Sequence, residues 1–457
     1  MVRDTTIFIT IKIMEKEKNI HILGGGPAGI SVAYYASKNN FKFKLFEASN
    51  RLGGNCKTFN INGFLFDSGA HRFHDKDHES TKIIKEIMRE ELQMIHVPSQ
   101  IFIDNKFVDF PLSPLNLIKF FGFWNILIET IKLLIRKLKK GSINNFKEYS
   151  IQRYGKKIAQ KFLFDYSEKL WGLPVEELSI KISGKRLKGI NFKTFLLELF
   201  SLNKAKVTHL DGSFYYPKYG IGTIFEKLSE FSGIENFNLN CKVKEILHNK
   251  EKILSVKINE DRIENVNYIV SSIPIDKFVK NLNPPAPDAI IALANSIQYR
   301  DIIVLIFLLD IDSVNSNGSM YFPGKEFIFT RIYEPRNRSN KMAPKGKTSL
   351  CVEIPTNKNN LNIEKKDKII NKVSHQLIEI GFFKENEIIN VQMELIQNAY
   401  PILCNNYEKT IVPIQKYLKK FKNLSINGRN GKFEYTHIHD HIKDGRLIIS
   451  DLISNYS

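Results

Sequence analysis

Cysteine and long apolar runs are scarce in this chain, and each scarcity excludes a class of protein. Only four of the 457 residues are cysteine, and they are widely spaced, with no Cys-x-x-Cys pair. This predicts reduced thiols in a cytoplasmic protein and argues against a disulfide-stabilised secreted one. The most apolar segment, residues 115–138, has no uncharged stretch longer than 120–128. That stretch is too short to cross a bilayer, which needs about 20 apolar residues.

Acidic residues are also in short supply. The chain has 48 Asp and Glu against 67 Lys and Arg, which gives a formal net charge of +19 and a pI near 9.4. Such a charge suits nucleic acid, a membrane surface or an anionic substrate, whereas a Lys-rich composition throughout would raise the pI without any function. No sequence module for nucleic acid is present, so we expect no nucleic-acid partner.

About half of the excess charge lies in residues 132–161, which contain ten Lys or Arg and a single acid, Glu148. The apolar segment 115–138 runs into this basic stretch. Two interpretations stay open: a helix lying on the inner face of an anionic membrane, or a buried helix of a substrate lobe with a solvated basic end. The start of the chain has a short apolar run but no small-residue cleavage site, so we predict no signal peptide and take Met14 as a second candidate start.

What the chain does contain is a dinucleotide-binding fingerprint. Gly24, Gly26 and Gly29 have the Gly-x-Gly-x-x-Gly spacing, with an apolar run before them and a helix-like segment after them. A second apolar run ends in Glu47, near the offset of roughly 20 residues expected of an acid that binds ribose. The first glycine allows a tight turn, the second lets the backbone approach a pyrophosphate, and the third lets helix and strand pack closely. The helix N-terminus then presents unpaired N–H groups to the phosphates.

A second glycine turn follows at once, in Arg51, Gly53 and Gly54. It resembles the Arg-x-Gly-Gly element of FAD enzymes in the flavin amine oxidase and protoporphyrinogen oxidase superfamily, where a basic side chain and bare backbone can meet the FAD pyrophosphate. Gly220 and Gly222 lack the third glycine of another fingerprint. We therefore expect FAD as the cofactor and no separate nicotinamide domain.

The resemblance to this superfamily extends over nearly the whole chain. It is carried by the motifs GGGPAG, RLGGNCKT, GFLFDSGAHRFH, LWGLPVEELS, YYPKYGIGTIFEKL, AYP and NGRNGKFEY. Within the superfamily the chain is most similar to UDP-galactopyranose mutases. The resemblance implies an α/β fold, with an FAD-binding lobe of the Rossmann type (two-dinucleotide-binding) and an inserted, mixed α+β substrate lobe. The implied FAD lobe comprises residues 19–100, 206–295 and 416–457, and the implied substrate lobe comprises 101–205, mainly helical, and 296–415.

The resemblance also implies site residues. Those implied to contact FAD are Gly24, Gly26, Pro27, Ala28, Gly29, Glu47, Arg51, Gly53, Gly54, His71, Val243, Gly428 and Arg429. Those implied to serve catalysis are His71, Arg186, Arg331, Tyr400 and Tyr435. In the mutases two arginines hold the substrate diphosphate, for which planar guanidinium groups are well suited, and the matching positions are Arg186 and Arg331. Tyr400 and Tyr435 match tyrosines that bind phosphate or line the sugar pocket, and His71 matches a histidine of a loop beside the flavin.

Simpler interpretations stay open for these residues. The two arginines could be surface or ion-pair residues of a basic protein, and the two tyrosines could be half-buried core aromatics. We expect Arg336 and Arg338 to face solvent. The histidines around 71–78 and 437–441 do not favour a zinc site, and no Gly-x-Ser-x-Gly elbow is present, so we predict neither a metal nor a serine nucleophile. The chain ends soon after Asp440 and His441, which predicts a short last helix.

Two functions follow from the resemblance, each with a small-molecule substrate and with the oligomeric state open. The first is a mutase, in which reduced flavin displaces UDP from a nucleotide-linked sugar whose ring then recloses in another size. The second is an FAD-dependent oxidoreductase of the protoporphyrinogen- or amine-oxidase type, in which oxidised flavin takes a hydride from a hydrophobic amine or porphyrinogen. A non-catalytic, FAD-bound partner protein is the remaining alternative.

Overall fold

The structure is a computed structural model that describes residues 19–138, 142–183, 213–357 and 363–456. Its helices are α1 (Pro27–Lys38), α2 (His78–Met88), α3 (Pro114–Phe121), α4 (Phe123–Leu138), α5 (Phe146–Tyr154), α6 (Lys156–Ala159), α7 (Asp165–Trp171), α8 (Gly222–Phe231), α9 (Ile275–Lys280), α10 (Asp288–Asn295), α11 (Ile363–Ile380), α12 (Glu408–Leu418), α13 (Arg429–Lys432) and α14 (Ile438–Tyr456). A π-helical turn (Gln160–Phe164) joins α6 to α7. In the part of the chain with described coordinates, no helix is both long enough and apolar enough to cross a membrane.

The strands are β1 (Asn19–Leu23), β2 (Lys42–Phe46), β3 (Thr58–Ile61), β4 (Phe64–Asp67), β5 (Leu92–His96), β6 (Ser99–Ile103), β7 (Lys106–Phe110), β8 (Ser213–Pro217), β9 (Phe237–Asn238), β10 (Val243–His248), β11 (Ile253–Ile258), β12 (Arg262–Asn265), β13 (Tyr268–Ser271), β14 (Leu282–Asn283), β15 (Tyr299–Leu309), β16 (Ser319–Tyr321), β17 (Arg331–Tyr333), β18 (Thr348–Thr356), β19 (Ile388–Pro401) and β20 (Leu424–Ile426).

A parallel sheet of five strands forms the first lobe, in the order β20-β13-β1-β2-β9. Its strands come from three separate stretches of the chain. Since β2 lies on one side of β1 and β13 on the other, the strand order reverses at β1. Ligands of open parallel sheets bind at the carboxyl ends of the strands at such a switch point. The fingerprint glycines follow β1 directly, so the fold places them at this crevice.

The last helix packs on the fingerprint helix and corrects one expectation. We predicted a short final helix, but α14 has 19 residues. It begins at Ile438, before the Asp-His pair, and the Asp440 carboxylate accepts the backbone N–H of His437 at 2.9 Å. Gly445 lets α14 approach α1 closely, because a Cβ there would lie 2.8 Å from the carbonyl carbon of Ser31.

A mixed sheet of seven strands forms the second lobe, in the order β19-β15-β18-β17-β16-β6-β7. Strands β15 and β18 are long runs of buried residues, which is typical of a sheet covered on both faces. Helix α11 packs on one face through Val373 and Leu377, and Phe64 and Phe66 lie against the other. β6 begins at Ser99, so the first strand of this sheet crosses the predicted boundary between the segments 19–100 and 101–205.

The remaining elements connect the two sheets. β10, β11 and β12 form an antiparallel meander that leads into the buried β13. Within residues 101–183 the chain is mainly helical, from α3 to α7, with β7 and most of β6 before them. The loop between β4 and α2 crosses from one lobe to the other, which makes it the natural place for residues that contact both cofactor and substrate.

Candidate active site

The two glycine turns face each other at the end of β1. Gly24 has a φ of +101°, and a Cβ on it would lie 2.6 Å from the Ser272 hydroxyl. A Cβ on Gly29 would lie 1.9 Å from the Gly24 carbonyl oxygen, so the third glycine is required by the fold itself. A Cβ on Gly26 would instead have Gly54 Cα as its nearest neighbour, at 3.7 Å. Glycine at 26 therefore leaves space between the two turns that the protein's own packing does not need.

The N-terminus of α1 opens into that space. Its N-cap residue, Gly26, offers no side-chain cap, Pro27 is the first helical residue, and the first turn of α1 has no acidic side chain. The backbone N–H groups at the start of α1 are thus available to an anion. Gly428, with a φ of +79°, brings the third stretch of chain to the same point, since a Cβ there would lie 3.0 Å from Ala28 Cβ.

Glu47 directly follows β2 and lies beside the first turn. Its carboxylate oxygens accept the backbone N–H groups of Gly25 at 2.7 Å and of Ser49 at 2.8 Å. These bonds hold the acid at the switch point, on the side of β1 where a ribose would follow the pyrophosphate.

Two other residues predicted to contact FAD have partners of their own. Arg51 forms an exposed ion pair with Glu226 at 2.8 Å. Val243 is buried at the start of the meander, where it pairs with Ile258.

Cys56 is buried near the second turn, and burial raises the pKa of its thiol to about 12, so it stays protonated.

His71 lies in the loop that crosses between the lobes. Its ring Nδ1 is 3.9 Å from Cys56 Sγ, and its backbone carbonyl accepts a hydrogen bond from Arg338 at 3.1 Å. Its buried ring Nε2 has no hydrogen-bond partner among the described residues. A buried polar atom left unpaired in this way indicates that another group contacts it when the site is filled.

The surroundings keep His71 neutral. Burial, and then the positive charges of Arg429 and Arg331, lower the pKa of His71 to about 3, although a hydrogen bond with the backbone of Asn55 acts in the opposite direction. The positive charge of Arg338 also lowers the pKa of His71. Three guanidinium groups from different parts of the chain thus converge on one imidazole.

Arg331 is nearly buried, in an ion pair across two strands. It stands directly opposite Glu353 in the β17–β18 register. Its Nε donates to Glu353 Oε2 at 2.8 Å and its Nη2 to Oε1 at 2.7 Å. Glu353 Oε1 also accepts the backbone N–H of Ala70 at 2.7 Å, which ties the arginine to the loop that carries His71.

Tyrosines surround the rest of this guanidinium. Burial opposes its charge, but Glu353, and then Tyr400, Tyr321 and Tyr166, raise the pKa of Arg331 well above its ordinary value. The Nη1 group of Arg331 makes no hydrogen bond with any described residue. Because Nη1 is directed away from Glu353, it is available to a ligand oxygen.

Three aromatic rings form one wall of the site. The ring centroids of Trp171, Tyr400 and Tyr435 lie 5.7 to 5.9 Å apart. Arg429 lies over both tyrosines, 5.3 Å from each ring centroid, and donates to the carbonyl oxygens of Ala399 and Thr436. Burial first, and then the neighbouring Tyr435, raise the pKa of Tyr400 to about 12, so its hydroxyl remains a hydrogen-bond donor at neutral pH.

The structure thus brings together His71, Arg331, Tyr400, Tyr435 and Arg429, whereas Arg186 lies outside the described residues. The prediction that Arg338 faces solvent is wrong. Arg338 is 1% exposed, and its guanidinium lies 4.5 Å from the ring centroid of Tyr333. Arg336 is only partly exposed, and it donates to Asp312 and to the Lys347 carbonyl.

Sequence reasoning missed Glu353 and Arg338. A signal for Glu353 was present, since an acid inside the apolar run SLCVEIP must have a buried partner. Arg338 had no such signal, because it stands among other polar residues. No set of three His, Cys, Asp or Glu side chains that could hold a metal occurs within the described residues.

FAD fits the crevice at β1. The gap between Gly26 and Gly54, the uncapped start of α1 and the acid at the end of β2 match its pyrophosphate and ribose in that order. The unpaired Nε2 of His71 lies in the loop that leads from this crevice to the substrate side.

Comparisons with known proteins agree with this geometry. The sequence profile of flavin-containing amine oxidoreductases matches residues 27–393. The structure of a reduced UDP-galactopyranose mutase superimposes with a TM-score of 0.81 at 19% identity, covering 95% of this chain and 94% of that one. The structure of a protein assigned as a protoporphyrinogen oxidase, from an Exiguobacterium species, gives 0.72 at 17% identity, covering 95% and 98%.

One curated relative is coproporphyrinogen III oxidase of Staphylococcus aureus, which is 30% identical over 98 residues. That match spans 21% of each protein, so it concerns about a fifth of the relative's length. The family profile covers most of this chain, and the superimposed structures share its fold. The chain belongs to the flavin-containing amine oxidoreductase family, and it is an FAD-dependent enzyme.

Proposed function

We propose that the protein is a UDP-galactopyranose mutase-like enzyme that acts on a nucleotide-linked sugar through reduced flavin. The observation that carries the proposal is Arg331, a nearly buried guanidinium whose Nη1 group is unused by the described residues, beside Tyr400 and Tyr166. A buried arginine with free donors suits a phosphate oxygen, because its planar group binds phosphate with directed hydrogen bonds.

The charge of the site supports an anionic substrate. Arg331 is paired with Glu353, but Arg338 and Arg429 donate to carbonyl oxygens and keep their positive charge in the interior. The same charges that hold His71 neutral would repel an ammonium group and attract a diphosphate. A cationic amine substrate is therefore disfavoured.

Reduced FAD would supply a nucleophilic nitrogen to the reacting sugar carbon. The chain's own residues would bind and orient the substrate. Arg331 would hold the diphosphate as a leaving group, and the hydroxyl of Tyr400, protonated at neutral pH, would donate to a phosphate oxygen. The neutral ring of His71 would present Nε2 at the junction of the cofactor and substrate sides. Trp171 and the two tyrosines packed against it would exclude water from the sugar.

Calorimetric titration of UDP into FAD-loaded protein, first oxidised and then reduced, tests the proposal. We expect UDP to bind more tightly after reduction. Arg331→Lys keeps the charge beside Glu353 but loses the planar fork, and we expect it to weaken UDP binding at least about tenfold. Arg336→Lys, a change of the same type at the partly exposed arginine, should leave UDP affinity unchanged. Absence of UDP binding in both redox states, with FAD still bound, would contradict the proposal.

A second function has an observation of its own in its favour. The local match to coproporphyrinogen III oxidase supports an FAD-dependent oxidoreductase that takes a hydride from a porphyrinogen. Porphyrinogens carry carboxylates, which the same arginines could bind. Anaerobic mixing of the oxidised holoenzyme with coproporphyrinogen III distinguishes the two, because rapid bleaching of the flavin absorbance is expected only for the oxidoreductase.

A further inference from the structure

Helix α4 exposes an apolar face to solvent. The residues of this face, called here the α4 apolar face, are Trp124, Leu127, Ile128, Ile131, Leu134 and Ile135, and each is more than a third exposed. Their spacing of three and four residues places them along one side of the helix. Leu115 and Phe123, just before this face, are exposed as well.

The opposite side of α4 is anchored in the protein. Ile126 is buried in a small core with Leu117 and Phe162, and Leu133 is buried as well. Glu129 is also buried, and its carboxylate accepts the backbone N–H of Lys157 at 3.4 Å. Helix α4 therefore has two apolar sides: one packs against the rest of the protein, and the other is exposed to solvent. The interpretation of this segment as a buried helix with a solvated basic end therefore does not account for the exposed apolar side of α4.

Basic residues border the α4 apolar face. Lys157 donates to the side chain of Asn125 at 2.7 Å, next to Trp124, and Lys156 beside it is exposed. Lys119 lies exposed near the end of α3, and Lys132 and Arg136 lie on α4 itself. Glu129 is the one acidic residue in the sequence of α4, and it is buried on the side that faces the core. An apolar stripe with basic flanks has the chemistry of a helix that lies in the headgroup region of an anionic membrane.

We propose that α4 docks the enzyme on an anionic lipid surface, with the α4 apolar face among the acyl chains and the flanking lysines on the headgroups. A lipid surface is favoured over a second copy of the chain because two such faces would bring their basic borders together. Each Lys or Arg beside an anionic surface strengthens binding to it, whereas the same charges repel each other across a dimer. This inference is independent of the substrate.

The fluorescence of the two tryptophans of the chain provides a signal for the docking. Trp171 is 4% exposed and Trp124 is 73% exposed, so only the emission of Trp124 should respond to a new apolar environment. We expect vesicles of equal parts phosphatidylcholine and phosphatidylglycerol to shift the emission of the FAD-loaded protein to shorter wavelength and to sediment the protein. Vesicles of phosphatidylcholine alone should do neither, and high salt should reverse the binding. Trp124→Phe should remove the shift and keep the sedimentation.

Matched variants distinguish binding through the α4 apolar face from nonspecific adsorption of the protein to vesicles. Ile128→Ser with Ile131→Ser should weaken vesicle binding at least about tenfold, whereas Leu254→Ser with Ile263→Ser, at exposed apolar positions of the meander, should not. Lys156→Glu with Lys157→Glu should weaken it similarly, whereas Lys368→Glu with Lys372→Glu on α11, of equal charge change, should do so far less. The proposal fails if the phosphatidylglycerol vesicles do not bind, if the α4 variants bind like their controls, or if the protein without lipid is a dimer that Ile128→Ser with Ile131→Ser converts to a monomer.

Discussion

The two halves of the active site differ in whether backbone or side chains form them. The cofactor side consists chiefly of backbone: two glycine turns and a helix N-terminus, with the Glu47 carboxylate beside them, all within about 35 residues of sequence apart from Gly428. The substrate side consists of side chains, Arg331, Glu353, Tyr400 and their neighbours, which the fold gathers from separate strands. Adding a side chain to a glycine should damage a site made of backbone. Truncating a side chain should damage a site made of side chains. The two halves should therefore fail in opposite ways.

The largest effect should come from a methyl group added to the cofactor side. Gly29→Ala places a Cβ 1.9 Å from the Gly24 carbonyl oxygen, so we expect loss of soluble folded protein or a decrease of more than about 4 kcal/mol in the free energy of unfolding. Gly26→Ala meets nothing nearer than 3.7 Å, so it should fold and lose at least about tenfold in FAD affinity. Urea denaturation and flavin titration of both variants measure this. A Gly26→Ala protein that binds FAD normally would contradict the assignment of the space between Gly26 and Gly54 to the FAD pyrophosphate.

A truncation on the substrate side should rank second. Arg331→Met leaves Glu353 buried and charged without its partner, and we expect a loss of about 3 to 5 kcal/mol in the free energy of unfolding. Adding Glu353→Gln removes the stranded charge and keeps an acceptor for the Ala70 N–H, so the double variant should recover most of the stability but not substrate binding. If the double variant were as unstable as the single one, the stranded charge would not be the cause.

The pH dependence of stability should rank third. His71 and His441 have pKa values lowered to about 3, and His21 to about 4, chiefly by burial. Between those values and the ordinary pKa near 6.5, the unfolded chain binds protons that the folded chain does not, so stability falls as the pH falls. Each histidine should contribute about 2 kcal/mol to the loss between pH 7 and pH 5. Urea denaturation at both pH values should show that the loss is smaller in His71→Asn by about that amount.

The smallest effect should come from Arg51. Its ion pair with Glu226 is exposed on both sides, so Arg51→Ala should change the free energy of unfolding by less than about 1 kcal/mol. Glu226→Ala is the matched control, because it breaks the same pair and keeps the arginine. If Arg51 also meets the FAD pyrophosphate, only Arg51→Ala will weaken FAD binding. Equal FAD affinity in both variants would remove Arg51 from the cofactor site.

The same division explains what the sequence could predict. The roles of Gly24, Gly26 and Gly29 depend on neighbours a few residues away, so their spacing predicts the strand, the turn, the helix and the cofactor type. Arg331 could be named only through family resemblance. Its pairing with Glu353 depends on the register of β17 and β18, and no local pattern determines which strands become neighbours.

The error at Arg338 has the same physical origin. Its segment is polar, so solvent exposure was the natural expectation, yet the fold closes Tyr333 and Tyr216 over its guanidinium. The low pKa of His71 was likewise invisible, because the three arginines that lower it lie far along the chain.

The strand order of the parallel sheet also has a consequence for synthesis. β1 pairs with β13 through Ile20 and Tyr268, and β13 pairs with β20 through Ile269 and Leu424. At about 5 to 20 residues per second on the ribosome, β13 is made roughly 12 to 50 s after β1, and β20 roughly 20 to 80 s after it. One edge of β1 thus waits unpaired while most of the chain is translated. The cofactor crevice, which begins to form around β1, becomes complete only after β20 has been made, so FAD can distinguish chains that already contain β20 from shorter nascent chains.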